Sequence, residues 1–483
     1  MQRVREYLTL VLIGLLPFHA FLVTVFTKII KGNGNAPLTL LALWKEMLIV
    51  IILLIACVEV YKLILHPESR KKVLKLDTID WLIISFLALA LIVTAFTFYD
   101  LKSVFLGIKY DIFPLGVFFL LRRVKWSANF THIAFFVLLM AGLATAVIGV
   151  ISILLPSGFF QFLGYSNLHS LYLPNAPLAA YQQIGGTGIR RIQSTMSGPN
   201  QFGLWLLIPW SVCLFGLAKS LNTDSHFLSR IFSIKPRSKH SIYTYVLCLL
   251  LIATAIFLTF SRSAWIASFS VFVLFLFTKY SAKSIQRISI RAIAPLIFAF
   301  ALIIIIAPEV VLRAASSVDH IRKPIEGIYS MVQNPLGKGL SSAGPASNHL
   351  SDSCVFLPDG ADISWAKDRT DLCVFAGGIQ MQPIGKICSC PFVTENWYIQ
   401  IGVELGFIGF LIFSSLIVLI LMRLWKIKDE SYEEMFAIFL GVSISALLLH
   451  SFEDAALAYT VWILLATVLC KKYLSKEVEN FDS

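Results

Sequence analysis

Long apolar runs alternate with short polar breaks along almost the whole chain. A helix needs roughly 20 predominantly apolar residues to cross about 30 Å of hydrocarbon. About twelve runs meet that length, over residues 8–30, 38–64, 80–98, 102–121, 131–155, 200–218, 242–260, 264–280, 292–307, 396–422, 434–450 and 455–470. The pattern predicts an all-α fold, a polytopic transmembrane helical bundle of about 12 spans. The longest break, Pro308–Thr394, falls between the ninth and tenth runs. The chain therefore divides into spans 1–9 (residues 1–307), a loop region (308–394), and spans 10–12 with a tail (395–483). A break of that length without structure of its own is uncommon unless it is functional or disordered.

The breaks carry most of the basic residues, and their distribution orients the chain. Alternate breaks hold Arg70, Lys71, Lys72 and Lys75; Arg122, Arg123 and Lys125; Arg230, Lys235, Arg237 and Lys239; Lys279, Lys283, Arg287 and Arg291; Arg423, Lys426 and Lys428; and Lys471 and Lys472. The positive-inside rule places these on the cytoplasmic side, with both termini cytoplasmic in the inner or plasma membrane. The first run, Tyr7–Ile30, follows Met-Gln-Arg-Val-Arg-Glu. It is too long for a signal-peptide core and no A-x-A site follows, so it reads as a retained first span. Pro156–Pro199, the tip Ser261–Ser263 and Pro308–Thr394 are then extracytoplasmic. Arg190–Arg191 and Arg262 are exceptions to the bias, basic groups on the outer side.

Composition agrees with a membrane protein. The 483 residues are 57 % hydrophobic and only 14 % charged, against roughly 25 % charged in a soluble domain. The formal charge of +12 belongs to the topology signal. No basic helix or aromatic platform stands clear of the membrane, so nucleic acid is not an expected partner.

The eight cysteines divide by location. Cys57, Cys213, Cys248 and Cys470 lie in or at the ends of runs, where cysteine behaves as a small apolar residue. Cys354, Cys373, Cys388 and Cys390 share the long outer break, where disulfides persist. Four cysteines allow three pairings. A zinc site is the alternative, but Cys-x-Cys is not a usual zinc-ligand spacing, so at least one disulfide is expected.

The residues that could carry chemistry gather toward the outer side. Arg191 heads R-I-Q-S-T-M-S-G-P-N, ending at Asn200. Gly198-Pro199-Asn200 suits a helix start, whose exposed N–H groups attract anions. An arginine beside such a start, or at Arg262 in L-T-F-S-R-S-A-W, offers bidentate hydrogen bonds to phosphate. The plain alternative for both is snorkelling to the lipid headgroups. His450 and Asp454, in H-S-F-E-D, sit at the outer end of the eleventh run, where helix capping is the ordinary role. Glu395-Asn396 close the long break, and Glu404 follows inside the tenth run. A charge within a span costs about 2.5–3.5 kcal/mol on insertion scales and faces protein or a wet cavity. Lys45 and Glu46 lie inside the second run, where structural pairing is the simpler expectation. No Walker A, H-E-x-x-H or G-x-S-x-G motif stands in a fitting context.

Taken in order, these pieces resemble the O-antigen ligase and polymerase superfamily of bacterial membrane proteins. The matching pieces are W-K-E (Trp44–Glu46), R-I-Q-S-T-x-x-G-P-N (Arg191–Asn200), S-R-S-A-W (Ser261–Trp265) and the outer loop with its G-K-G run (Gly337–Gly339). E-N-W-Y-I-Q-I-G-V-E-L-G-F-I-G (Glu395–Gly409) completes the set. The resemblance implies a glycosyltransferase in cell-surface polysaccharide assembly. It moves a glycan from a polyprenyl-pyrophosphate carrier to an acceptor hydroxyl of a glycan or lipid, in contact with membrane lipids, with no metal and no cofactor. It implies catalytic roles for Arg191 and Arg262 at the diphosphate and for Glu395 at the acceptor. Asn200, Asn396, Lys338, His450 and Asp454 are the implied substrate-binding residues. Ligases of the family end the loop in His-Asn; Glu395-Asn396 stands here, which favours polymerase-like or teichuronic-acid-type members. The chemistry is consistent: arginines stabilise a diphosphate leaving group, and a carboxylate accepts the acceptor proton. Two other classes compete. A flippase of lipid-linked oligosaccharide predicts paired halves and broken midplane helices, and no pairing of halves is visible. A non-catalytic scaffold leaves the outer arginines unexplained.

Overall fold

The computed structural model describes residues 1–33, 35, 37–97, 101–167, 179–184, 188–222, 239–279, 314–357, 359–367, 369, 372–427 and 429–470. Among these, eight helical stretches are long and apolar enough to cross a membrane: Gln2–Lys31, Thr39–Leu65, Thr78–Phe96, Leu101–Leu121, Phe130–Leu154, Pro199–Ser220, Arg262–Lys279 and Trp397–Lys426. The runs expected at 242–260 and 455–470 form shorter apolar helices, Ile242–Leu258 and Ala455–Val468. The eleventh run is helical only over Glu430–Ser445, and residues 446–454 form a compact connection. The ninth run, 292–307, lies outside the described residues. The protein is thus a mostly helical membrane bundle with eight helices of spanning length among its described residues.

The helices used below are α1 (Gln2–Leu15), α2 (His19–Lys31), α3 (Thr39–Leu65), α4 (Pro67–Leu74), α5 (Thr78–Phe96), α6 (Leu101–Gly107), α7 (Phe113–Leu121), α8 (Phe130–Ile151) and α9 (Ser157–Phe162). They continue with α10 (Pro199–Trp205), α11 (Leu207–Asn222), α12 (Lys239–Leu258), α13 (Arg262–Lys279), α14 (Ala314–Gln333), α15 (Trp397–Lys426), α16 (Glu430–Ser445) and α17 (Ala455–Val468). Helices α6 and α7 are one stretch interrupted by a π-helical turn, Ile108–Ile112. Such turns are rare and frequent at functional sites.

Polar ties mark the two ends of the bundle. At one end Arg122 donates to Asp80 at 3.0 Å and Asp77 at 2.8 Å, and Arg123 pairs with Asp80 at 2.9 Å. Arg423 also reaches Asp77, and Arg5 pairs with Glu59 at 2.9 Å. Asp77 and Asp80 form a reciprocal capping box that starts α5. Leaving either buried arginine unpaired would be strongly unfavourable, so the network fixes these breaks against one another. The outer breaks expected from sequence meet at the other end. Thr259 and Phe260 accept from Arg191, Ala346 N–H donates to Glu453, and Asn396 donates to Leu447 O.

Helix α15 is broken at Gly406. Gly406 sits at φ 73°, and a Cβ there would lie 2.3 Å from Pro335 O. Only glycine takes this conformation without strain. The carbonyls of Val403 and Glu404 accept from the N–H groups of Lys338 and Gly339 at 2.8 and 2.9 Å, and Phe407 N–H donates to Pro335 O. The Gly-Lys-Gly run thus plugs the break with backbone. Irregular backbone at membrane depth requires such internal partners.

The segment after residue 313 is not a plain polar loop. Helix α14 packs one side against α15, where Gly327 leaves room for Ile399 and Thr394. Its other side exposes Val318, Ile321, Ile325, Tyr329 and Val332, an apolar stripe at helical spacing. A small three-stranded sheet follows. Strand β3 (Ser353–Leu357) pairs in parallel with β4 (Leu372–Ala376), which pairs antiparallel with β5 (Ile379–Gln382). Disulfides Cys354–Cys390 and Cys373–Cys388 tie it together. Two further short strands, β1 (Tyr165–Asn167) and β2 (Ala179–Tyr181), pair in parallel. The bundle is therefore helical with small β additions in two of its connections, where the sequence predicted an all-α fold.

Candidate active site

A cavity of about 490 Å³ opens between the helices at the end where the outer breaks meet. One wall comes from the α1–α2 junction and α3, with His19 and Lys45. A second comes from the π-turn, with Lys109 and Tyr110. A third is the turn before α10 and the start of that helix, with Ser197 and Gln201. The connection 446–454 supplies His450, Glu453 and Asp454, and the turn after the Gly-Lys-Gly run supplies Pro345 and Asn348.

Two charge clusters face this space. In the first, Lys45 Nζ lies 2.9 Å from His19 Nε2 and pairs with Glu46 Oε1 at 3.1 Å. Lys109 Nζ pairs with the same oxygen at 3.0 Å. The pairing of Lys45 with Glu46 is the one expected from sequence, but the ammonium groups also line the cavity. In the second cluster, Glu453 Oε1 accepts from Ala346 N–H at 2.7 Å and Oε2 from Gln400 Nε2 at 2.8 Å. Behind it, the carboxyls of Asp111 and Glu404 are fully buried and within electrostatic reach of one another. Glu404 Oε1 also takes the N–H of Ala343 at 3.3 Å. The π-turn links the clusters. Lys109 joins the first, Tyr110 lies on the cavity surface, and Asp111 joins the second.

Groups in the 446–454 connection carry shifted proton affinities. Burial pushes the Glu453 carboxyl well above the usual range; the nearby Asp111 adds to this, and the hydrogen bonds from Gln400 and Ala346 oppose it. Burial likewise raises Asp454. It pushes His450 down to about 4, with Glu395 opposing. Burial penalises the charged form in each case.

Of the residues singled out from sequence, His450 and Asp454 line the cavity. Asp454 also caps α17 by accepting from Leu457 N–H at 3.0 Å, so capping and cavity lining coincide. Arg191 stands behind the wall. It is 7 % exposed and donates to Thr259 O at 2.9 Å, Gln182 Oε1 at 2.7 Å, Asn200 Oδ1 at 2.7 Å and Phe260 O at 3.4 Å. It ties the turn before α10, and with it Gln201, to the turn before α13. Asn200 is the acceptor in that tie. Arg262 is the first residue of α13 and does not line the cavity. Asn396 caps α15, accepting from Ile399 N–H at 3.0 Å. Lys338 points toward the Phe392 ring, 5.5 Å from its centroid. Glu395 takes a left-handed backbone (φ 52°) and pairs with Lys323 at 3.0 Å, with His320 Nδ1 at 3.8 Å.

Sequence reasoning passed over His19, Lys109, Tyr110, Asp111, Gln400 and Glu453. Lys109-Tyr110-Asp111 carried a signal: two charges inside an apolar run. Glu453 stood in the H-S-F-E-D motif beside the residues that were singled out. No family model matches this chain, and no curated protein matches it.

Proposed function

We propose that the chain is a membrane glycosyltransferase that moves a glycan from a polyprenyl-diphosphate carrier to an acceptor hydroxyl. The observation that carries this reading is the cavity, where the buried Lys45, the half-buried Lys109 and the buried Glu453 carboxyl share one space among apolar helices. Glycan transfer from a diphosphate needs both: cations for the leaving group and a carboxylate for the acceptor proton. The glycan transferred and the acceptor follow the family resemblance, as does the absence of a metal from the mechanism.

Within this reading Lys45 and Lys109, assisted by His19, take the donor diphosphate. Arg191 spends its guanidinium on the protein and shapes the wall from behind. Glu395 orders the rim beside His450. Arg262 keeps the diphosphate role only through the resemblance. The oxocarbenium-like sugar in the transition state gains from the negative side of the cavity.

The full topology belongs to the same proposal. The helices 242–258, 430–445 and 455–468 and the run 292–307 complete about twelve spans. Both termini are cytoplasmic and residues 314–394 lie outside, in a bacterial cytoplasmic membrane. The two disulfides support that side, because such bonds persist in oxidising compartments. Purified protein in liposomes with a polyprenyl-diphosphate-linked glycan is the direct test. Transfer of the glycan to an acceptor, with release of polyprenyl diphosphate, is the expected result. Movement of intact donor across the bilayer without transfer would replace this reading with a flippase.

A further inference from the structure

We propose that Glu453 is the catalytic residue that takes the proton of the acceptor hydroxyl. This rests on the glycosyltransferase reading above and adds a residue to it. The other carboxylates near the site are each committed elsewhere. Glu46 is shared by two ammonium groups. Asp454 caps α17. Glu395 is paired with Lys323 and does not line the cavity. Asp111 and Glu404 lie behind the cavity wall rather than on it.

Glu453 alone combines access with fixed geometry. It lines the cavity and is 5 % exposed. Each of its oxygens holds one donor from a rigid partner, and a carboxylate oxygen has a further lone pair for a substrate hydroxyl. The partners themselves are fixed. Ala346 follows Gly344, at φ 71°, where a Cβ would lie 2.2 Å from the Gln400 amide. The turn and Gln400 therefore lock together around the carboxylate. Preorganised placement of this kind is what a base needs before its proton affinity matters.

The acceptor oxygen attacks the anomeric carbon, and the bond from that carbon to the diphosphate oxygen breaks. The electron pair of that bond leaves with the diphosphate, facing Lys45 and Lys109. The hydroxyl proton passes to the Glu453 carboxylate. The charged and titratable groups around Glu453 are Tyr110 and Asp111 of the π-turn, Glu404 of α15, and His450 and Asp454 of its own connection. Lys45, Lys109 and His19 stand on the other cavity walls. Burial, with Asp111 nearby, raises the proton affinity of Glu453, and a carboxylate of higher proton affinity is the stronger base.

The test uses the full chain in liposomes with a polyprenyl-diphosphate-linked glycan. Glu453→Gln is expected to lose about a hundred- to ten-thousandfold in transfer rate, with donor KM little changed and normal folded protein by thermal melting. Glu395→Gln is expected to lose at least about tenfold less. A second variant, Asp111→Asn, removes a neighbouring carboxyl. In the transfer that remains, the ascending limb of the pH–rate profile should move to lower pH. A purely structural Glu453 would leave that limb in place. Wild-type transfer beside a Glu453→Gln protein of near wild-type rate overturns this inference alone, as does an unmoved limb in Asp111→Asn. A wild type that transfers no glycan removes the reading and this inference together.

Discussion

At the scale of the residue, the lesson is that a charge is assigned by its partners. Arg191 and Lys109 are both basic groups in or near spans, and their surroundings give them opposite work. Arg191 makes four hydrogen bonds to protein acceptors. A lysine there loses the planar fork, and hydrogen bonds to a charged group are worth about 1.5–3 kcal/mol each. Arg191→Lys is therefore expected to lower the melting temperature in detergent while donor KM stays within a few-fold for the protein that remains folded. A raised KM at an unchanged melting temperature would instead make Arg191 a diphosphate ligand. Lys109 holds one ion pair and faces the cavity. Its replacement by glutamine removes a charge-assisted contact worth about 1.5–3 kcal/mol. Donor KM should rise by about tenfold or more, with melting close to that of the wild type.

At the scale of the element, two irregular helices build the site. The π-turn turns three consecutive side chains to three places: Lys109 to Glu46, Tyr110 to the cavity, Asp111 to Glu404. A regular α-helix would spread them by about 100° per residue around its axis and keep only part of that set on one side. The break in α15 does the complementary work. It frees the carbonyls of Val403 and Glu404 for Lys338 and Gly339, which fixes the turn carrying Ala343 and Ala346 onto the two carboxylates. Gly406→Ala forces a left-handed alanine into backbone contact with Pro335. Left-handed strain alone costs on the order of 1–3 kcal/mol, and the clash adds to it. The variant is expected to show a clearly lowered melting temperature and to lose transfer beyond its loss of folded protein. A wild-type melting curve would show that the break is not needed to hold the loop.

At the scale of the whole molecule, the two ends of the bundle have different chemistry. One is tied by the Arg122 network and the other gathers the cavity and the disulfide-bonded sheet. Non-reduced digests should contain linked peptides for Cys354–Cys390 and Cys373–Cys388, read by mass spectrometry. Reduction should destabilise the three-stranded sheet by about 2–5 kcal/mol. The sides of the membrane are read by labelling introduced cysteines in intact cells. Arg322→Cys on α14 should react with an impermeant reagent, and Lys71→Cys on α4 only after lysis. The reverse pattern would invert the topology and leave the disulfides without an oxidising compartment.

The sequence by itself determined the class of protein and the grouping of its polar breaks. Span-length apolar runs and the placement of Lys and Arg are local properties, and a bilayer reads them locally. The cap at Asp454, the pairing of Lys45 with Glu46 and a disulfide among the four loop cysteines were legible for the same reason. The composition of the site was not. Which of several carboxylates faces open space depends on contacts between residues far apart in the chain: Glu453 with Ala346 and Gln400, and Asp111 with Glu404. That Arg191 is held by Thr259, Phe260 and Gln182 could not be read, because these acceptors lie in other stretches that fold back over it. The break at Gly406 was hidden because its cause is the approach of Pro335 and Leu336, which no local propensity records. Only the tertiary structure decided these points, since burial and partner identity are properties of the packed bundle and not of any stretch of sequence.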